Sequence, residues 1–484
     1  MADIHLRTFP ATLKIGRVST NLAAKFEKSG IQLFYDGDIW MVMNGTTFIR
    51  PSCIILSHLE GLKPTPLSLN KNYFYQDPSL NEGFLYIFAK IDVMIDNTLI
   101  SYMEEMLKNT PTAFKRYAYS EIDWNQRMIG IVGARGIGKS TMVKQYIIEN
   151  REQFNVLYTS ADHTYFSNHS ISDLADNLVK FGYNVLVIDE VHKYENWSRE
   201  LKQIYDIHSE LKVILTGSSI LDIQKGEVDL SRRIVIYEMY GLSFREYLKM
   251  FHNINAETYS LEDILNHKVS LKELAHPLPY FKQYLKEGYY PFAIEGSFSI
   301  KMQQVITQTI ESDIAQFADL KATTARKLKK LLSVISTLAP YKPNVSTLST
   351  VVGVSKNNIH DYLIYMEKAG LLGQLRDDTG GIRGIGKVEK VFIDNPSLMH
   401  VLANGVPNEG NCRETFFYNQ MKVRNDVIAS KESDFTISNY TFEIGGKKKG
   451  KKQIEDIPNG YIVRDDIEYG NDIIIPLWHF GLNY

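Results

Sequence analysis

Between Arg127 and Gly241, short apolar runs alternate with amphipathic stretches, the pattern of strands followed by helices. Met128–Val132, Asn155–Thr159, Val185–Ile188, Val213–Thr216 and Ile234–Tyr237 predict five strands. The intervening segments Ser140–Glu149, Ile171–Phe181 and Trp197–His208 predict helices, the first with Met142, Val143, Tyr146 and Ile147 on one face. Strands that are apolar along their whole length, rather than at alternate positions, belong to a parallel sheet covered on both sides. The expected fold class of this region is therefore α/β, built on a parallel sheet.

The pattern differs on either side. Residues 1–92 carry short apolar-aromatic runs (Ile31–Tyr35, Ile39–Met43, Cys53–Ser57, Phe84–Phe88) broken by Gly, Pro and Asn, which predicts short strands and turns and no chemical constellation. Past Gly241 the strand signal stops. Residues 242–290 read as helices rich in Leu, Tyr and Lys, a helical region covers Met302–Leu338, and a shorter helical set runs to Leu375. The tail after Asp394 returns to mixed helix and strand. At about 150 residues per domain, 484 residues suggest about three domains. The expected division is 1–92, a core at 93–240, a helical lid at 241–300, a helical module at 301–398, and a tail domain at 399–484.

Composition narrows the function classes. With 44% apolar and 23% charged residues the chain is of ordinary globular type. The 54 basic and 56 acidic side chains nearly cancel, so any basic surface is local. Cys53 and Cys412 are too few for a disulfide framework and sit in no metal-binding spacing. No apolar run approaches the ~20 residues that span a bilayer, and the first residues lack the pattern of a secretion signal. A cytoplasmic location without a membrane partner is expected.

The first predicted strand runs into Gly133-Ala134-Arg135-Gly136-Ile137-Gly138-Lys139-Ser140, with Thr141 following, which fits G-x-x-x-x-G-K-[ST]. Glycines at these points let consecutive backbone N–H groups turn inward on phosphate oxygens at the positive end of the next helix. Lys139 adds a point charge, and the Ser140 hydroxyl is a ligand for Mg²⁺. The apolar strand before Asp189 and Glu190 delivers two carboxylates to the end of the sheet where ligands bind. Asp189 is expected to hold Mg²⁺ through water and Glu190 to polarise an attacking water. Thr216 and Ser218, at the end of the next strand, are candidates to sense a terminal phosphate or to orient the water. Arg232 and Arg233, before the fifth strand, are candidates to reach a nucleotide bound by a neighbouring copy, or else to form surface ion pairs.

These motifs resemble the AAA+ superfamily of P-loop ATPases (the ASCE division). The similarity is greatest to a prokaryotic group in which the P-loop core precedes a winged helix and a C-terminal restriction-endonuclease-like domain of unknown function. It rests on the loop Gly133–Thr141, the block Val185–Trp197, the strand end Ile214–Ser219, the Leu-Ser-Arg-Arg segment and Tyr284–Gly296. It implies ATP and Mg²⁺ as cofactors, ATP hydrolysis as the activity, Glu190 as catalytic glutamate, Arg233 as the arginine acting in trans, and a homo-oligomer.

Leu348–Met366 reads as helix, glycine turn at Gly353, and a second helix capped by Ser355. Ile359, Leu363 and Met366 are expected inside, with Lys356, Asn357, Asn358 and Asp361 outside. This is a helix-turn-helix pattern, and Asp377–Lys387 resembles a wing, with Lys321, Arg326, Lys327, Lys329 and Lys330 on the preceding helix. Such a module either contacts DNA or packs between domains. In the tail, Glu414, Asp434 and Glu443 follow the order of the endonuclease-like fold, where three carboxylates and a lysine hold Mg²⁺. Gly445 stands where that lysine belongs, so a degenerate site is expected, with Lys447 the candidate to stand in. Lys447–Lys452 is either a phosphate-tracking run or a solvated hairpin tip.

Overall fold

The computed structural model describes residues 95–217, 230–315, 318, 322–378, 386–403 and 406–484, together with the backbone of short strands within residues 1–94. Ser218, Lys321 and the tip of the expected wing (379–385) lie outside the described residues. The chain forms two compact units, Met1–Met94 and Ile95–Tyr484. In the first, Ala2–Arg7 pairs antiparallel with Thr12–Val18, Gln32–Asp36 pairs with Ile39–Asn44 and that strand with Thr47–Phe48, and Leu85–Ile87 lies between Ile54–Leu56 and Phe74–Gln76.

The second unit is built around a five-stranded sheet: β1 (Met128–Val132), β2 (Val156–Ser160), β3 (Val185–Asp189), β4 (Lys212–Gly217) and β5 (Val235–Glu238), in the order β2-β3-β4-β1-β5. Every neighbouring pair is parallel. All residues of β1 and β3 are buried, as continuous apolar runs require when both faces are covered. Each Val, Leu or Ile removed from water here contributes about 1.5–3 kcal/mol, which fixes the strands firmly behind their C-terminal ends. Helix α1 (Asn97–Lys108), capped by Asp96, packs on β2. α2 (Lys139–Asn150), α3 (Ile171–Lys180) and α4 (Trp197–Ile207) complete the predicted alternation.

Beyond the sheet, α5 (Phe244–His252) starts with a capping box in which the side chains of Ser243 and Glu246 exchange hydrogen bonds with the backbone. Buried Glu246 also accepts from the Arg116 guanidinium at 3.0 and 3.1 Å and from the Tyr117 amide at 2.7 Å. Arg116 in turn donates to the carbonyls of Ile137, Tyr240 and Gly241. Losing one partner of such a buried pair costs about 3–5 kcal/mol because the other charge is stranded. The pair therefore clamps α5 against the glycine loop.

The helical region predicted over 302–338 is interrupted. α6 (Phe298–Gln308) runs into a π-helical turn, Thr309–Ile314, before α7 (Ala322–Leu338). The wider turn buries Thr309 and Asp313 together with the apolar Ile310 and Ile314. α8 (Val345–Val352) ends at Gly353, whose φ of +75° is the left-handed conformation that favours glycine. Ser355 caps α9 (Lys356–Lys368), where Ile359, Leu363 and Met366 are buried and Lys356, Asn357, Asn358 and Asp361 exposed, as their spacing predicts. An antiparallel pair follows, β6 (Leu372–Arg376) with β7 (Val388–Ile393).

Helix α10 (Glu409–Met421) packs against a mixed sheet, β8 (Val427–Ala429), β9 (Phe435–Ile437), β10 (Tyr440–Gly445), β11 (Gly460–Arg464) and β12 (Ile474–Pro476), in sequential order. Its core is aromatic and continuous with residues 244–285: Phe281 meets Phe416 edge-on at 4.8 Å, and Phe417 meets Phe480 at 4.8 Å. Among the described residues no helix is long and apolar enough to cross a membrane.

Candidate nucleotide site

The loop after β1 is shaped by glycine. Gly133, Gly136 and Gly138 have φ of +148°, +83° and +96°. A methyl group at Gly133 would stand 2.1 Å from the Met239 carbonyl oxygen, and one at Gly136 would stand 2.7 Å from the Phe292 ring. Only backbone fits at either point. Gly138 ends the loop, and the first-turn amides of α2, from Lys139 to Thr141, have no acceptor within the helix. They face a cavity of about 520 Å³ whose lining includes Gly136, Lys139, Ser140, Thr141 and Glu190. Its far wall is apolar and comes from three separate elements: Pro111 and Phe114, Met250 of α5, and Pro291, Phe292 and Ile294.

At the end of the sheet the register brings the polar groups together. Ser140 Oγ donates to Asp189 Oδ1 at 2.9 Å, and the Tyr158 phenol donates to Oδ2 at 2.7 Å. The Thr216 hydroxyl donates to Asp189 Oδ1 and accepts from the Glu190 amide at 3.2 Å. Thr216 is thus fully buried and committed to Asp189 and Glu190; it does not line the cavity, where a terminal phosphate would be sensed directly. Tyr158 has no signal in its own sequence context beyond lying on β2, the neighbour of β3.

Lys139 Nζ donates to the carbonyls of Gly133 and Ala134 at 2.9 and 2.8 Å. Burial lowers its pKa to about 8, against the opposing pull of Glu190 and Asp189. The ammonium that favours an anion is therefore present below about pH 8 and lost above it. Affinity for a phosphate-bearing ligand is expected to fall up to tenfold per pH unit above pH 8, and a calorimetric titration from pH 7 to 9.5 measures it; a flat profile counts against this role.

Glu190 sits at φ +52°, a strained conformation for a residue with a side chain. Burial raises its carboxyl above the ordinary range, opposed by Lys139 and Arg135. Its Oε2 is 3.4 Å from Arg135 Nη2 and 3.4 Å from His192 Nε2. Arg135 reaches Asp313 of the π-turn at 3.0 Å, and Lys193 reaches the same carboxylate at 3.4 Å. His192, buried, is lowered to about 4 and is neutral at physiological pH.

The chemistry of the donor set fits a magnesium nucleotide. Mg²⁺ takes hard oxygen ligands, keeps several waters, and needs only one or two protein oxygens beside the phosphates. Ser140, which lines the cavity, and Asp189, hydrogen-bonded to it at 2.9 Å, supply that pair. Among the described residues no cluster of three or more His, Cys, Asp or Glu side chains is arranged to hold a metal without a ligand's help.

Other expected residues lie elsewhere. Arg233 makes a two-point ion pair with Asp206 of α4 at 2.9 and 3.0 Å, and Arg232 adopts φ +66°; neither lines the cavity. Glu414 and Asp434 are brought together by one lysine, and Glu443 is paired with another. Lys390 bridges Glu414 at 3.0 Å and Asp434 at 3.2 Å, and Lys449 pairs with Glu443. The lysine that reaches Glu443 is thus Lys449 and not Lys447, which is exposed. The reason is steric: Lys449 folds over Gly445, where any side chain would collide with it at 2.6 Å. In the basic run, Lys451 also faces Asp472 at 3.4 Å.

Residues 125–248 match the family model of the AAA domain, and residues 278–409 match a domain of unknown function (DUF8612). The uncharacterized protein MJ1637 of Methanocaldococcus jannaschii is 26% identical over 406 residues, 74% of this chain and 85% of that protein. An uncharacterized protein of Haemophilus influenzae is 26% identical over 335 residues, 63% of this chain and 78% of its own. Among solved structures, the Walker-type ATPase PABY2304 of Pyrococcus abyssi superposes with a TM-score of 0.39 at 12% identity, covering 62% of this chain and 99% of that one. AMPPCP-bound DnaA from Aquifex aeolicus superposes with a TM-score of 0.26 at 13% identity, covering 56% and 88%. The segment 125–248, which carries the loop, sheet and carboxylates just described, is thus similar to the AAA domain of P-loop ATPases.

Proposed function

We propose that the cavity binds ATP with Mg²⁺ and hydrolyses it to ADP and phosphate. The observation that carries this reading is the Ser140–Asp189 pair, a hydroxyl and a carboxylate 2.9 Å apart, beside Lys139 and followed directly by Glu190. Ser140 would hold Mg²⁺ directly and Asp189 through water, and the bound ion supplies positive charge to the phosphates. Glu190 takes a proton from the water whose oxygen bonds to the γ-phosphorus. The bond from that phosphorus to the β-bridging oxygen breaks, and its electron pair leaves with ADP. Lys139 and the loop amides hold the developing charge, while Tyr158 and Thr216 keep Asp189 in place. The test is phosphate release by the purified full chain given ATP and Mg²⁺, with ADP in place of ATP as the control. Release no faster than the control overturns hydrolysis.

Besides Pro111 and Phe114, the apolar wall is drawn from α5 and the 291–295 segment, so a base bound there also touches elements that belong to the lid. This supports a cycle in which hydrolysis moves the lid and the helix-turn-helix module, read as a winged helix, relative to the core. Arg233 acting in trans within a homo-oligomer belongs to the same reading, its exchange of Asp206 for a neighbouring phosphate being the required change.

A second reading, nucleotide-gated DNA binding, is favoured by one observation: α9 exposes Lys356, Asn357, Asn358 and His360 together. The lysines seated on Glu414, Asp434 and Glu443 favour a structural over a nuclease role for the tail domain.

A further inference from the structure

Two residues of the glycine loop touch the C-terminal helices, and both contacts are tight. A methyl group at Gly370, just past α9, would stand 2.6 Å from Cβ of Ala134. The next residue, Arg135, gives its guanidinium to Asp313, with Nε at 3.2 Å and Nη2 at 3.0 Å. Asp313 is 1% exposed and sits on a π-helical turn, a conformation concentrated at functional sites. A carboxylate so buried needs cationic partners, and these are Arg135 and Lys193, with neutral His192 at 3.9 Å.

The position of Arg135 is the informative part. It is a loop residue, two places after Gly133, and it is not among the residues lining the cavity, but its guanidinium lies 3.4 Å from Glu190, which is. A guanidinium on the phosphate loop is thus held back by a carboxylate from another part of the chain. A γ-phosphate placed beside Glu190 offers the same guanidinium a more highly charged partner with matching two-point geometry. ADP lacks that group and offers no such competition. A ligand shifts an equilibrium only by its differential interaction with the two states, so a triphosphate can move this contact and a diphosphate cannot.

We propose that Arg135 is a catalytic residue that neutralises the γ-phosphate from within the same chain, and that Asp313 is the positioning residue from which the triphosphate draws it. The phosphate end of the nucleotide and the α6 turn then compete for one side chain. Hydrolysis returns Arg135 to Asp313 and so reports the nucleotide state to the helices that follow. Through Ala134 the same loop movement reaches Gly370 and α9.

This rests on the reading of the cavity as an ATP site, and the test separates the two. Full-length wild type, Arg135→Ala, Arg135→Lys and Asp313→Asn are compared for ADP affinity, AMPPCP affinity and ATP turnover. Arg135→Ala is expected to lower turnover at least ~100-fold, in line with arginines that act on the transferred phosphoryl group. Its ADP affinity should stay within about threefold, and Arg135→Lys should recover part of the rate. Asp313→Asn should raise the preference for AMPPCP over ADP about tenfold, by removing the competing charge. In the double variant the Asp313 change should add nothing, since it acts through Arg135. Turnover by Arg135→Ala within about threefold of wild type overturns the proposal, as does an unchanged AMPPCP-to-ADP ratio in Asp313→Asn. Arg135 is partly exposed, so its variants keep the proposal falsifiable if Asp313→Asn does not fold. Wild type that binds neither nucleotide defeats the ATP site itself; wild type whose turnover depends on Lys139 but not on Arg135 defeats this inference alone.

Discussion

Glu190→Gln is expected to lower ATP turnover by about 10²–10⁴-fold while leaving ATP bound and intact. Glutamine has the shape of glutamate and keeps a carbonyl oxygen toward Arg135 and His192, each 3.4 Å from the present carboxylate. It cannot accept a proton, and positioned general bases contribute about that range. Burial already raises the Glu190 carboxyl, which makes its ionised form a stronger base than a solvated carboxylate. Removing the base therefore removes more than one hydrogen bond. Asp189, Ser140 and Lys139 are untouched, so ATP affinity should stay within about threefold. Chromatography of the nucleotide recovered from the protein after incubation with Mg²⁺ distinguishes the outcomes. Recovered ATP supports the assignment; ADP formed at the wild-type rate removes Glu190 from the chemistry.

The part of this site that could be read in the sequence is the part whose geometry is local. The glycine loop is a contiguous run whose spacing dictates its own conformation, so Gly133, Gly136 and Gly138 announce left-handed backbone wherever they occur. Asp189 and Glu190 announce themselves because an all-apolar strand has to end somewhere, and in a parallel sheet it ends at the ligand side. The parallel pairing of β1–β4 goes with the same near-continuous burial, whereas β5, at the edge of the sheet, is partly exposed. What the sequence withheld depends on pairing across long separations. Tyr158 meets Asp189 only because β2 neighbours β3 in register, Ser160 lying opposite Asp189. Arg116 meets Glu246 across 130 residues, and Arg135 meets Asp313 across 178. A carboxylate between Ile310 and Ile314 on an apolar helix face was the available hint for Asp313, since a buried acid demands a partner; it did not say which.

The tail gives the complementary lesson. Spacing alone proposed Lys447 for Glu443, and the structure delivers Lys449, because a chain that turns over Gly445 brings a side chain back from four residues on. Lys390 was invisible to a motif, being on β7, outside the tail domain's own sheet. Charge balance makes the arrangement self-consistent: three buried or half-buried carboxylates attract cations, and where lysines within reach supply them, no metal is needed to keep the acids together. In the nucleotide site the opposite holds. Among the described residues, the Asp189 carboxylate is hydrogen-bonded by hydroxyls alone, with no lysine or arginine seated on it.

Lys139→Ala should abolish ATP binding at micromolar nucleotide while leaving the protein as stable as wild type. Two charge-assisted hydrogen bonds to phosphate oxygens, at about 1.5–3 kcal/mol each, make about 3–6 kcal/mol, or roughly 10²–10⁴-fold in Kd. The stability expectation has the opposite origin. Lys139 is 4% exposed, and burial depresses its pKa to about 8, so holding its charge in the folded protein near neutral pH is costly. Its ammonium recovers only the Gly133 and Ala134 carbonyls, which can turn to water when it is gone. Alanine removes the cost together with those bonds, and the two offset. A thermal melt without nucleotide should therefore coincide with wild type, and the rise in melting temperature that ATP gives wild type should vanish. Equal ATP affinity for both proteins would take Lys139 out of the site. A lowered melting temperature without ATP would make it a structural residue of the loop.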